Sequence, residues 1–350
     1  MTTNSISTAY INALLADATY VDGLAPDGAP LSGSALVGKL QDRLTPSLAQ
    51  YLADNFEVVT QKLTSDNTES GFDATVWREK STGKIYVSMR GTEFSGYADA
   101  AADADLTFSG LARDQAVSMV NWWLKSTTPT TGLAAQLKIV TPLDVALIAS
   151  GYSVGAIVAA PPVQGDNAIP NPGSVIVNGH SLGGHLATAF ARIFGNTGVV
   201  AHTYTYNSAT FNPLSPDKFD QIAAALGTGP TTYPSPARDT NFYAVNGPDL
   251  TTQNLTAGQI GLRVQLFNEQ SSAANLLTLP NHYMYKLTDA LALGNALEQL
   301  DPTLTISKFN ALLEAGSNQT ANSIEGVLDA LRKALAGPHE IRGQASILFA

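Results

Sequence analysis

A serine between glycines, Gly179-His180-Ser181-Leu182-Gly183, follows the β-branched run Val175-Ile176-Val177 and leads into a helix-forming stretch from Leu186 to Phe194. Strand, tight turn and helix in that order put Ser181 at the apex of a nucleophile elbow. The reason is steric: the serine sits in a strained backbone conformation, its hydroxyl projects above the sheet, and Gly179 and Gly183 leave room where strand and helix cross. The helix that starts beside Ser181 also turns backbone N–H groups and a positive dipole end toward developing negative charge.

A serine hydroxyl is a poor nucleophile until a base takes its proton and an acid orients that base. An elbow serine is followed along the chain by the acid and then the base. Of five histidines, His180, His185 and His202 sit too close to the elbow in sequence, and read as wrong-facing, packing and strand-end residues. His282, in the loop Leu279-Pro280-Asn281-His282-Tyr283 before a helix, is the candidate base, with His339 near the chain end as the alternative. Asp249 follows the strand-like run Asn241 to Val245 through Asn246-Gly247-Pro248 and lies between serine and base, which makes it the candidate acid. Asp239 falls before that strand, at the opposite edge of the sheet, and Asp217 and Asp220 read as solvated helix residues. A tetrahedral oxygen needs two donors. The Leu182 N–H supplies one, and the Arg90-Gly91-Thr92 turn after an early strand is placed to supply the other, with the Thr92 hydroxyl available. Arg90 could equally pair with Asp99, Asp103 or Asp105. Those aspartates raise the question of calcium, but their Ala-rich spacing fits a solvated helical face better. No cofactor is expected.

These residues need a scaffold. The first helix covers Met1 to Val21, with Ile6, Tyr10, Ala13, Leu14 and Ala18 on one face, and a second helical region runs from Ser34 to Asn55, with Thr45-Pro46 as a cap. Strand-like runs follow at Phe56–Leu63, Phe72–Glu79 and Lys84–Met89, the last two joined by the turn Lys80-Ser81-Thr82-Gly83. Leu111 to Lys125 reads as a helix whose Trp122 and Trp123 pack. The apolar stretch 133–162 is a candidate lid or acyl-binding flap, or else an additional core helix pair. Strands at Val199–Tyr206, Asn241–Val245 and Gly261–Phe267 alternate with a helix at Pro216–Leu226. Helices at Tyr283–Leu300, Thr305–Ala315 and Ser323–Ala336 complete the chain. Strands alternating with helices predict an α/β fold, a mainly parallel sheet with helices on both faces, in a single domain over 1–350 that ends in the C-terminal helices of 301–350.

Bulk properties narrow the partners. A net charge of −10 argues against nucleic acid or an anionic membrane surface held by charge. The absence of cysteine excludes disulfides, thiolate metal sites and a cysteine nucleophile. The most apolar charge-free stretch, Val145 to Gly165, contains Gly151, Gly155 and Pro161-Pro162, which argues against a membrane span. Met1 to Val21 lacks a basic region followed by an apolar core, so it does not read as a cleaved signal peptide.

With Val87-Ser88-Met89-Arg90-Gly91-Thr92, Gly179-His180-Ser181-Leu182-Gly183-Gly184, Asp249 and His282 in place, the chain resembles the lipase class 3 group of α/β-hydrolases from about Lys84 to Leu293. That group includes bacterial lipases of the type I-secreted kind, whose C-terminal calcium repeats this chain lacks. The resemblance implies Ser181 as nucleophile, Asp249 as acid, His282 as base, and Thr92 with Leu182 as oxyanion donors. It implies cleavage of acylglycerols or other apolar carboxylic esters, transient contact with a lipid interface, and export without a cleaved leader, with a cytoplasmic location as the alternative. A short-chain esterase, phospholipase or polyester hydrolase would use the same residues, and a non-catalytic binding protein is the reading from another class.

Overall fold

A computed structural model of the chain describes residues 5–64, 70–91, 112–209, 211, 216–229, 231–245, 259–267 and 282–317. Strand β6 (Val175–His180) is buried at all six positions, as a strand covered on both faces must be. It lies at the centre of a seven-stranded sheet with β1 (Phe56–Lys62), β2 (Ala74–Glu79), β3 (Ile85–Met89), β7 (Val200–Tyr206), β8 (Asp239–Ala244) and β9 (Leu262–Leu266), in the order β1-β2-β3-β6-β7-β8-β9. The first three strands pair antiparallel. From β3 onward every pairing is parallel, so β3, β6, β7 and β8 end on the same side.

Alternation along the strands sends Trp77, Tyr86, Ile176, Tyr204, Tyr206 and Phe242 to one face. There they pack against α1 (Ile6–Ala18), α2 (Gly33–Leu40), α3 (Pro46–Asn55), α8 (Met284–Leu300) and α9 (Ile306–Ser317). Val76, Val87, Val175 and Val177 point to the other face, onto α4 (Arg113–Thr127), α6 (Leu182–Phe194) and α7 (Pro216–Leu226). Each such buried side chain contributes roughly 1.5–3 kcal/mol of transfer free energy. The Thr45 hydroxyl accepts the Leu48 N–H, so Thr45-Pro46 caps α3 as expected. Glu298 of α8 accepts the Ile6 and Ser7 N–H groups at 3.1 and 2.8 Å, anchoring the positive end of α1.

The stretch 133–162 is not a helix pair. It forms a separate two-stranded antiparallel sheet of β4 (Leu133–Ile139) and β5 (Ile157–Gln164), joined through the single-turn helix α5 (Val145–Ala149). Pro161-Pro162 fits because the pairing shifts at that point, from Ala134↔Val163 to Gln136↔Ala160, so neither proline N–H is missed. The helix expected at Ser323–Ala336 lies outside the described residues. No helix among them is long and apolar enough to cross a membrane.

Candidate active site

The elbow forms at the C-terminal end of β6. Ser181 has φ 56° and ψ −123°, a region that costs a non-glycine residue roughly 1–3 kcal/mol. The surrounding backbone enforces it: the Ser181 N–H bonds the Tyr206 carbonyl of β7 at 3.0 Å, and the Ser181 carbonyl accepts from Gly184, His185 and Ala209. A Cβ on Gly183 would lie 2.1 Å from the Met89 carbonyl oxygen, and one on Gly179 would lie 2.3 Å from the Gly183 carbonyl oxygen. Strand β3, strand β6 and helix α6 thus meet backbone to backbone. As the first residue of α6, Leu182 presents an N–H with no acceptor inside the helix.

Ser181 has no exposed surface, and His282 reaches it. The His282 Nε2 lies 2.9 Å from the Ser181 Oγ, within range of direct proton transfer. The chain brings these two together across 101 residues. Asp249 and Thr92 lie outside the described residues, as do Asp99, Asp103, Asp105 and His339.

A further pair of residues supports the site: Tyr20, which the sequence does not single out, and His180, which the sequence reads as wrong-facing. The His180 ring bridges two elements. Its Nε2 meets the main-chain carbonyl of His282 at 2.6 Å, and its Nδ1 meets the Tyr20 hydroxyl at 2.8 Å. A carbonyl only accepts, so Nε2 carries the proton and Nδ1 accepts from Tyr20. The Tyr20 oxygen in turn accepts the Gly91 N–H at 3.2 Å. One polar chain therefore links the Arg90-Gly91 turn, the end of α1, the elbow and the histidine loop. Gly91 has to be glycine for this, because a Cβ would lie 2.6 Å from the His180 carbonyl oxygen and 2.7 Å from the Tyr20 hydroxyl. The guanidinium groups of Arg43 and Arg90 lie 4.4 and 5.6 Å from the centroid of the Tyr20 ring. Burial raises the Tyr20 phenol above its ordinary value, which keeps it a hydrogen-bond donor. Arg90 pairs with Asp22 at 2.5 Å and with Asp73 at 3.7 Å.

The other candidates fall outside the site. The His185 ring stacks on Phe211 at 4.0 Å. His202 bonds Thr240 at 2.9 Å, and burial, with Arg238 nearby, pulls it down to about 4, so it is neutral at pH 7. Trp123 is buried and packs edge-on against Phe190. Asp239 opens β8 at the far end of the sheet, fully buried. Burial raises its carboxyl to about 7, offset in part by the Thr188 hydroxyl. Asp220 is exposed.

A mainly parallel sheet covered by helices on both faces, with a strained serine between a central strand and its helix and a later histidine over it, is the α/β-hydrolase fold. No family model and no curated protein matches the sequence. Solved structures similar to it include the Lip2 lipase of Yarrowia lipolytica, at 14% identity and TM-score 0.39 over 78% of this chain and 82% of that one. The Rhizomucor miehei lipase in its propeptide complex is similar at 14% identity and TM-score 0.42, over 80% of each chain. A lipase from Rhizopus microsporus var. chinensis is similar at 14% and 0.40, over 80% and 85%. All three are fungal rather than bacterial. At this distance the likenesses are to folds and do not bear on what this chain does.

Proposed function

We propose that the chain is a serine hydrolase of carboxylic esters that works through an acyl-enzyme on Ser181. The observation that carries this reading is the 2.9 Å approach of His282 Nε2 to the hydroxyl of a serine held at φ 56° on the elbow. In the proposed cycle Oγ attacks the ester carbonyl carbon while its proton passes to Nε2. The resulting oxyanion is held by the Leu182 N–H and by Thr92. Collapse expels the alcohol, which takes the proton from His282. Water, deprotonated by the same nitrogen, then releases the acid and restores the serine. Asp249 is the proposed acid that orients His282 through Nδ1–H. The cycle requires no cofactor. Apolar acyl chains are the proposed substrates, with acylglycerols among them.

Hydrolysis of p-nitrophenyl acetate and octanoate by the wild type, Ser181→Ala and His282→Ala tests the reading. Each variant should lose roughly 10³-fold or more in kcat. Unchanged turnover in Ser181→Ala would sink the mechanism, and loss in His339→Ala instead of His282→Ala would move the base. A preference for acetate over octanoate would favour a short-chain esterase over a lipase.

A further inference from the structure

Directly after strand β7 stands a residue that three elements of the site share. Asn207 is wholly buried and holds φ at 42°, in the left-handed region that asparagine tolerates better than most side chains. The turn around it clasps the elbow from both sides. The Tyr206 carbonyl accepts the Ser181 N–H at 3.0 Å, and the Ala209 N–H donates to the Ser181 carbonyl at 3.1 Å. The Asn207 N–H donates to the Phe242 carbonyl of β8 at 2.8 Å. Main-chain bonds on either side of Asn207 therefore fix where Ser181 stands relative to it.

Its side chain faces the two other elements. Oδ1 accepts the Ala244 N–H at 2.9 Å, at the last residue of β8, the strand that leads toward Asp249. Nδ2 donates to the main-chain carbonyl of His282 at 3.4 Å. The partners fix the orientation of the amide, because a backbone N–H only donates and a carbonyl only accepts. The same His282 carbonyl accepts from His180 Nε2 at 2.6 Å, so side chains from two neighbouring strand ends converge on one oxygen. Asparagine combines a donor, an acceptor and tolerance of positive φ in one short side chain. Glycine would suit the backbone and lose both bonds. Aspartate would accept from Ala244 but turn a second acceptor on the His282 carbonyl.

On the basis of the proposed hydrolase chemistry, we infer that Asn207 is a positioning residue for proton transfer between Ser181 and His282. One side chain, set in the turn that clasps the elbow, holds the main chain of the base over the nucleophile and ties both to the strand that leads toward the acid. Asn207 reaches His282 through the main chain. Its loss should therefore act through the 2.9 Å approach of Nε2 to Oγ, on which proton transfer depends and substrate binding does not.

The test is steady-state hydrolysis of p-nitrophenyl octanoate by Asn207→Gly, Asn207→Asp and Ser181→Ala beside the wild type, with the melting temperature of each measured at the same pH values. Asn207→Gly should lose about tenfold or more in kcat at pH 8.5 and pH 6 alike, with KM within about twofold of the wild type. Asn207→Asp should lose as much at pH 8.5 and regain most of it, relative to the wild type, at pH 6. A carboxyl buried there titrates above its ordinary range, and its protonated form can again accept from Ala244 and donate to His282. A role confined to stability would lower the melting temperatures and leave kcat of the folded enzyme unchanged. Full kcat in folded Asn207→Gly, or an aspartate variant no closer to the wild type at pH 6 than at pH 8.5, would overturn the assignment. Should Asn207→Gly not fold, the aspartate comparison decides by itself. Wild-type turnover by Ser181→Ala would sink the hydrolase reading and the assignment with it, whereas an inactive Ser181→Ala beside a fully active Asn207→Gly overturns the assignment alone.

Discussion

The elbow and the hairpin tip use the same kinds of side chain in opposite ways. From Val175 to Phe194 every residue is buried, polar ones included, and the backbone is so tightly packed that a strained serine has no alternative conformation. From Thr141 to Ala156 no residue is buried, although the composition is just as aliphatic. Hydrophobicity alone does not decide which region becomes core. The elbow run is central because parallel strands pair along both its edges and helices cover both its faces, whereas no residue of the tip is buried and, among the described residues, nothing is packed over it. Stability is concentrated in the first region.

Substitutions can break that contrast. Gly183→Ala should do the most damage: a methyl group 2.1 Å from the Met89 carbonyl oxygen has no flexible neighbour to displace, so the loss should reach 3 kcal/mol or more in denaturant unfolding. A mild effect would mean that the elbow is looser than described. Asp239→Asn is the next largest and has the opposite sign above neutrality. Because the folded carboxyl titrates near 7 and the unfolded one near 3.8, the folded state holds the extra proton between those values. Stability of the wild type therefore falls as pH rises from about 4 to about 7, by at most about 4 kcal/mol, and is level beyond. The Asn variant lacks this loss, so its unfolding midpoint should exceed that of the wild type at pH 8 and match it near pH 4. Tyr20→Phe should cost about 1 kcal/mol in stability and lower kcat severalfold with little change in KM, because the bond that orients His180, and through it the His282 backbone, is gone. An effect on stability with kcat untouched would make Tyr20 merely structural. Leu143→Ser should be smallest, within about 0.5 kcal/mol of the wild type. A larger loss would show that the tip is packed.

How much of this the sequence disclosed depends on how local the signal was. The elbow is a local event of glycines, β-branched residues and a helix start, and Ser181 could be placed from a dozen residues. The Thr45-Pro46 cap and the Gly83 turn are equally local. The nearness of His282 to Ser181 is also foreshadowed by chain order, since His282 stands in a loop before a helix, downstream of the elbow. The bond between His180 and Tyr20 is not legible for the opposite reason: it joins positions 160 residues apart, and nothing in either neighbourhood anticipates it. The stretch 133–162 reads from sequence as a lid or flap or as a core helix pair; it is a strand hairpin, and Pro161-Pro162 interrupts the strand pattern in a way that only the shift in pairing accommodates.

The contact of Gly91, Gly179 and Gly183 with neighbouring backbone has a consequence for the history of such a chain. Most positions in a protein can be changed, tested and changed back while the fold survives. These three leave no space for even the smallest side chain, so any lineage that keeps this turn must keep all three, whatever happens to the residues around them. The surrounding sequence can diverge until little likeness is left, while the shape of the turn persists.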